Sequence, residues 1–235
     1  MNTLTLDDVC LSFADGDEQV HALDHVTLTV NAGELVAVSG ASGSGKSSLL
    51  AVAGALRTPD TGRVVIGDTE ITAASPRERA AVRRNHIGFV FQQSNLFEAL
   101  TATDQLLYQA SLAGIDRTTA SAKATELLAA VGMSSKADRR PGQLSGGERQ
   151  RIGIARAMIN SPTVILADEP TSALDVARAH EIVRLLRDQT HQRHVATVMV
   201  THDRGILAEA DRVVTIRDGR VVDNATQQSG PHDDN

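Results

Sequence analysis

Gly40-Ala41-Ser42-Gly43-Ser44-Gly45-Lys46-Ser47 decides how this chain is read, together with the apolar run Leu35–Ser39 before it and the helical pattern Lys46–Leu56 after it. The stretch fits G-x-x-x-x-G-K-[ST], and it stands where the pattern has to stand, between a predicted strand and a predicted helix. Glycines let a backbone wrap an anion without Cβ clashes. Successive N–H groups and the helix N-terminus then face that anion. The spacing assigns Ser39, Gly40, Ala41, Ser42, Gly43, Ser44, Gly45, Lys46, Ser47 and Ser48 to a phosphate cradle. In it Lys46 reaches the β- and γ-phosphates and the Ser47 hydroxyl faces magnesium. Taken alone, the motif establishes a nucleotide site and no family.

Further along lies Val164-Ile165-Leu166-Ala167-Asp168-Glu169-Pro170. Its apolar residues place a strand inside a sheet, and Asp168 emerges at the carboxyl end, where open parallel sheets bind ligands. Asp168 is expected to hold magnesium, through water, and Glu169 to take a proton from an attacking water. Two adjacent acids at a strand end also suit a helix cap, but that reading loses weight once a phosphate loop precedes them. Leu144-Ser145-Gly146-Gly147-Glu148-Arg149-Gln150 opens a helix. Ser145 with Glu148 makes a capping box, and a serine with two glycines at a helix start also suits an anion.

Around these motifs the chain alternates. Leu4–Phe13, His25–Val30, Arg63–Gly67, Ile87–Phe91, Val195–Val200 and Arg212–Ile216 read as strands, with a turn at residues 15–18. Pro76 opens a short helix. Residues 102–131 turn helical, broken at Gly114, and Val176–Gln189 carries an apolar stripe at Ile182, Leu185 and Leu186. Asp218-Gly219 makes a hairpin turn. The expected domain spans residues 1–223, and a polar tail over 224–235 is expected to be disordered.

Composition narrows the function classes. Of 235 residues 41% are hydrophobic and only 2% aromatic, so the core rests on Val, Leu, Ile and Ala, which suits a parallel sheet under helices. A net charge of −6 without a basic stripe argues against nucleic acid as a partner. The single cysteine, Cys10, rules out a disulfide within the chain and reads as a buried thiol. Residues 1–8 lack a signal-peptide pattern. No run approaches the roughly 20 apolar residues of a membrane span. The expectation is a cytoplasmic protein whose membrane contact comes only through a partner.

The ordered set resembles the ATP-binding-cassette (ABC) transporter family. Its signature motif, LSGGQ or a near variant, stands here as Leu144-Ser145-Gly146-Gly147-Glu148. In that family Ser145, Gly146 and Gly147 would contact the γ-phosphate held by the opposite subunit. The resemblance implies a homodimer with two ATP and Mg2+ sandwiched head to tail. Gln92 matches the glutamine loop near the γ-phosphate and magnesium, Ser172-Ala173-Leu174-Asp175 the D-loop, and His202 the switch histidine that positions Glu169. Phe13 falls where an aromatic stacks on adenine. The implied fold is an α/β P-loop NTPase cassette: a RecA-like core, an N-terminal antiparallel β portion, and a helical subdomain inserted at about residues 94–160.

Within the family, Gly88–Gln93, Asn95-Leu96 and Arg140–Gln150 are similar to the lipoprotein-releasing and macrolide-exporter (MacB-like) branch. That implies an ATPase on the cytoplasmic face of the membrane, driving a separate integral-membrane permease for haem, peptide, lipoprotein or drug. The D-loop departs from the branch's Gly-Asn-Leu-Asp and matches amino-acid importers, so an importer stays open. A soluble cassette acting on nucleic acid or ribosomes is the other alternative. A regulatory, non-hydrolysing subunit is disfavoured by Glu169 and His202. The permease surface is expected to include Gln92, Asn95, Leu96, Phe97 and Leu100.

Overall fold

The computed structural model describes residues 2–15 and 18–226. The centre of the expected turn, Gly16 and Asp17, and residues 227–235 of the expected tail lie outside the described residues.

The chain opens with two long strands, β1 (Asn2–Asp15) and β2 (Glu18–Asn31), followed by β3 (Leu35–Ser39) and helix α1 (Lys46–Ala53). Next come β4 (Thr61–Ile66), β5 (Thr69–Glu70), α2 (Pro76–His86) and β6 (Ile87–Val90). Three helices follow, α3 (Ala102–Leu112), α4 (Arg117–Ala130) and α5 (Gly146–Met158). The chain then returns to the sheet through β7 (Val164–Asp168), α6 (Val176–Arg193), β8 (Ala196–Val200), β9 (Arg212–Arg217) and β10 (Arg220–Thr226). The last strand runs to Thr226, past the boundary expected at residue 223.

Two sheets result. One is antiparallel, in the order β2-β1-β4-β5; the other runs β10-β9-β3-β8-β7-β6 and is parallel except for its edge strand β10. Side chains alternate across a strand, so each parallel strand feeds two cores. Leu35 and Ala37 of β3, with Ile165 and Ala167 of β7, pack on the side of α3 to α6. Val36, Val38, Val164 and Leu166 face the opposite way, onto α1 and the antiparallel sheet. Burial on both sides explains why these strands read as unbroken apolar runs.

Helix α1 is the wedge between the sheets. Leu49, Leu50, Val52 and Ala53 are buried in one cluster with Leu4, Leu6 and Val9 of β1. Truncating a buried leucine of this kind typically costs about 2–5 kcal/mol. The wedge fixes the phosphate loop, because the loop runs directly from the end of β3 into α1.

The helical insertion forms as expected. Gly114, at φ +75°, ends α3, and Asp116 caps α4 by accepting from the Thr119 N–H at 3.0 Å. The first two strands are longer than the sequence pattern indicated. Bulges interrupt their register, with Asp8 and His25 both at φ +52°, so the apolar alternation breaks partway along each strand. The Asp218-Gly219 turn has positive φ at both residues, as a tight hairpin requires. Among the described residues no helix is long and apolar enough to cross a membrane.

Candidate functional site

The phosphate loop leaves β3 at Gly40, where any Cβ would collide with the Ile216 carbonyl and with Ser44 Oγ. It enters α1 at Gly45, at φ +105°, where a Cβ would run into the Ala22 carbonyl. Both glycines are therefore demanded by close backbone approach. No side chain caps α1, so its first N–H groups remain available to an anion. Lys46 is buried and donates to the carbonyls of Gly40 at 2.8 Å and Ala41 at 2.7 Å. These bonds hold the loop around the ammonium. Ser44 Oγ is buried without a hydrogen-bond partner among the described residues. A cradle that excludes Cβ atoms, an uncapped helix start, a buried cation and an orphaned hydroxyl together fit a bound phosphate chain.

The acids sit at the neighbouring strand ends. Asp168 closes β7, and burial pushes its carboxyl above the ordinary range; Glu169 adds to that rise and Lys46 opposes it. A bound cation at this position would relieve the burial penalty on the charged form. Glu169 adopts φ +43°, an unfavourable conformation for a residue with a side chain. Its N–H donates to the Val200 carbonyl at 2.9 Å, and its own carbonyl accepts from Ser172 N–H at 3.2 Å. The turn aims its carboxylate at His202, whose Nδ1 lies 2.8 Å from Glu169 Oε1. An ionised carboxylate only accepts, so with Glu169 charged the ring donates from Nδ1.

A cavity of 520 Å³ gathers Ser42, Gly43, Gly45, Lys46, Ser47 and Ser48 with Glu169 and His202. Val20, His21 and Ala22 of β2 complete its wall. Sequence reasoning missed these three. They belong to an ordinary strand, and only the packing of β2 against the loop reveals them.

Other expected site residues lie elsewhere. Ser145 caps α5, accepting from Glu148 N–H at 3.3 Å while Glu148 accepts from Ser145 N–H at 2.8 Å. Asp175 caps α6, accepting from Arg178 N–H at 3.0 Å. Gln92 and Gly146 line a second cleft, of 480 Å³, with Pro141, Gln150 and Leu174. None of these residues, nor Gly147, lines the cavity around Lys46 within one chain. Phe13 is also outside that wall; its ring packs under the Arg57 guanidinium at 5.2 Å, opposite Val20 in the strand pair.

Helix α5 grips the segment that carries Gln92. Gln150 Nε2 donates to the Phe91 carbonyl at 3.0 Å, and Arg156 donates to the carbonyls of Ser94 at 2.7 Å and Asn95 at 2.8 Å. Beyond this segment lies an apolar groove of 670 Å³ lined by Leu56, Phe91, Asn95, Phe97, Tyr108 and Leu112, among others. Phe97 is 51% exposed and meets Tyr108 edge to face at 5.1 Å. Of the expected permease surface, Asn95 and Phe97 line this groove. Gln92 and Leu96 border the adjoining cleft, and Leu100 faces a separate hollow beside Leu107.

Comparison with known proteins gives this geometry its family. The ABC transporter family matches residues 23–172. The chain is 43% identical over 225 residues to the macrolide export ATP-binding/permease protein MacB of Salmonella typhi, covering 96% of this chain but 35% of that protein. It is 43% identical over 219 residues to the lipoprotein-releasing system ATP-binding protein LolD 1 of Rhodospirillum rubrum, covering 93% of this chain and 97% of that protein. Among solved structures, the dimeric post-hydrolysis ATP-binding cassette MJ0796, bound to ADP and Pi, superposes with a TM-score of 0.84 at 34% identity, over 97% of this chain and all of that one. CbiO1 from Clostridium perfringens, part of the transporter complex cbiONQ, superposes with a TM-score of 0.87 at 26% identity, over 96% and 88% of the two chains. The chain spans about a third of the length of the MacB relatives, and its site stands on the fold shared with these cassettes: it belongs to the ABC transporter family.

Proposed function

We infer that this chain hydrolyses ATP as the motor of an export system, docked at the cytoplasmic face of a membrane on a separate permease. The observation that carries the reading is the 2.8 Å contact of His202 Nδ1 with Glu169 Oε1, in the same cavity as Lys46 and Ser47. Lys46 neutralises charge on the transferring phosphoryl group. Glu169 orients the attacking water and takes its proton; His202 keeps that carboxylate in place. Ser47 and Asp168, with Gln92 carried in on its loop, would hold Mg2+, which when bound neutralises phosphate charge. Ser145, Gly146, Gly147 and Asp175 lie outside the cavity of their own chain, which suits a role on the nucleotide of a second copy. Phe13, paired with Val20 in the β1–β2 ladder, is the aromatic that would stack on an adenine. The cassette would take in the expected span 1–223 together with the end of β10 at Thr226, with the helical subdomain at about 94–160.

Export rests on the likeness to MacB and LolD 1. One feature favours an importer: the D-loop Ser172-Ala173-Leu174-Asp175. Either way the apolar groove at Phe97 is the seat for the permease. Two measurements test the proposal. ATP turnover of the purified chain should rise with the square of chain concentration, as a reaction completed by a second copy must; a linear dependence refutes the shared site. Phe97→Asp should stay folded and bind ATP yet fail to co-purify with the permease. A mutant that still assembles removes the groove from the coupling path.

A further inference from the structure

Outside the nucleotide site, the described residues hold one group of side chains with metal-ligand chemistry: Cys10, Asp24 and His25, whose candidate ligand atoms all lie within 4.8 Å of one another. We propose that this thiol, carboxylate and imidazole form a binding site for a borderline-soft divalent cation of the Zn2+ class, with water as the fourth ligand.

Each of the three donors already has the outer partner that a ligand needs. Asp8 Oδ1 lies 2.7 Å from His25 Nδ1. A carboxylate on Nδ1 fixes the tautomer whose free lone pair is on Nε2, and Nε2 is the atom turned toward Asp24 Oδ1, 3.8 Å away. The backbone N–H of His25 donates to Cys10 Sγ at 3.3 Å, which fixes the sulfur beside the imidazole. Arg220 binds the other oxygen of Asp24, with Nε 2.7 Å from Oδ2, which leaves Oδ1 facing the imidazole.

The backbone is shaped to bring the donors together. Asp8 and His25 both occupy the left-handed region at φ +52°, at the bulges of the β1–β2 pair. Without those bulges the side chains of Asp24 and His25 would point to opposite faces of β2. The donor set also selects its ion: thiolate and imidazole suit Zn2+, whereas Mg2+ takes oxygen ligands. This site and the ATP-magnesium site would not compete for one metal.

The site is joined to the phosphate loop through backbone alone. Asp24 N–H donates to the Gly219 carbonyl at 2.9 Å, and Gly219 N–H donates to the Ser44 carbonyl at 3.0 Å. A cation here would pin the hairpin whose Ala22 packs on Gly45.

Cys10 is the only cysteine of the chain, so thiolate-to-metal charge-transfer absorption reports this site and no other. Titrating the full chain with Cd2+ or Co2+ should raise that absorption to a plateau at one metal per chain. Zn2+ should displace the probe, and excess Mg2+ should not. Cys10→Ser should abolish the band. His25→Gln should weaken binding severely, and Asp8→Ala should weaken it about 10- to 100-fold. ATP binding by each variant would confirm its fold. No band, or a band unchanged by His25→Gln and by Asp24→Asn, overturns the proposal. A plateau at one metal per two chains also overturns it, since that is the mark of two thiols from separate copies.

Discussion

Two helices of this cassette start with small residues and glycine, yet their first turns are left in opposite states. At α1 the residue before the helix is Gly45, in a conformation that side chains avoid, and nothing caps the turn. At α5 Ser145 and Glu148 close a capping box on each other. The first end has donors to spare and a buried lysine beside them. The second has spent its acceptors internally, which leaves the Ser145 hydroxyl proton free to be donated outward. An open end can take a phosphate unaided. A closed end still offers the Ser145 hydroxyl and the N–H groups of Gly146 and Gly147, which the capping box does not use, and on the proposed reading these would meet a phosphate that something else already holds. On that reading, the difference would let one chain carry the main part of one site and a completing part of another.

The largest effect that would sharpen this contrast comes from Glu169→Gln. Losing the general base should lower turnover about 10²- to 10⁴-fold, while every phosphate donor at α1 remains. ATP affinity should hold, and the variant should accumulate as an ATP-bound dimer on size exclusion. If it turns over ATP normally, the 2.8 Å His202 contact has no catalytic meaning.

The same substitution at each helix then separates the two ends. Gly45→Ala forces a side chain to φ +105° and drives its Cβ into the Ala22 carbonyl. Such backbone strain costs of order 1–3 kcal/mol, and nucleotide binding should be lost with it. Gly146→Ala meets only Leu174 Cδ2, at an ordinary 3.5 Å. It should leave stability and ATP binding of the chain intact, and reduce only the concentration-dependent turnover. Calorimetry of ATP binding beside a turnover assay distinguishes the two. Equal damage from both substitutions would break the comparison.

The parts legible in the sequence are those where one local rule was enough. Gly45 before Lys46, Ser145 before Glu148, and Asp168 at the end of an apolar run each declare a conformation without help from distant chain. Contacts across the fold were not legible. His21 and Ala22 reach the phosphate loop because β2 packs beside it, and nothing in their own neighbourhood says so. The first half of β2 was not legible because the bulge at His25 breaks the apolar period there. Phe97 carried no local clue to its side: an apolar residue after a loop suits a core as well as a groove, and only the packing of α3 leaves it 51% exposed.

The smallest effect tests whether the closed end is held by its capping box. Glu148 accepts from Ser145 N–H at 2.8 Å and lies 3.6 Å from Lys136. The Ser145 bond, with help from Lys136, holds its carboxyl below the ordinary range although partial burial works the other way. Glu148→Ala removes the acceptor and the negative charge at a helix start, together worth about 0.5–1 kcal/mol. The sign with pH follows from the lowered value: the wild type is favoured above the ordinary carboxylate range, and that advantage is lost as pH falls through the folded carboxyl's own lower value. Denaturant unfolding of both proteins should show a gap at neutral pH that closes only in acid. ATP affinity of the isolated chain should not change, because α1 has no part in the box. A loss of affinity would mean that the two helix ends communicate within one chain, and a gap that stays constant into acid would mean that the carboxylate is not what closes α5.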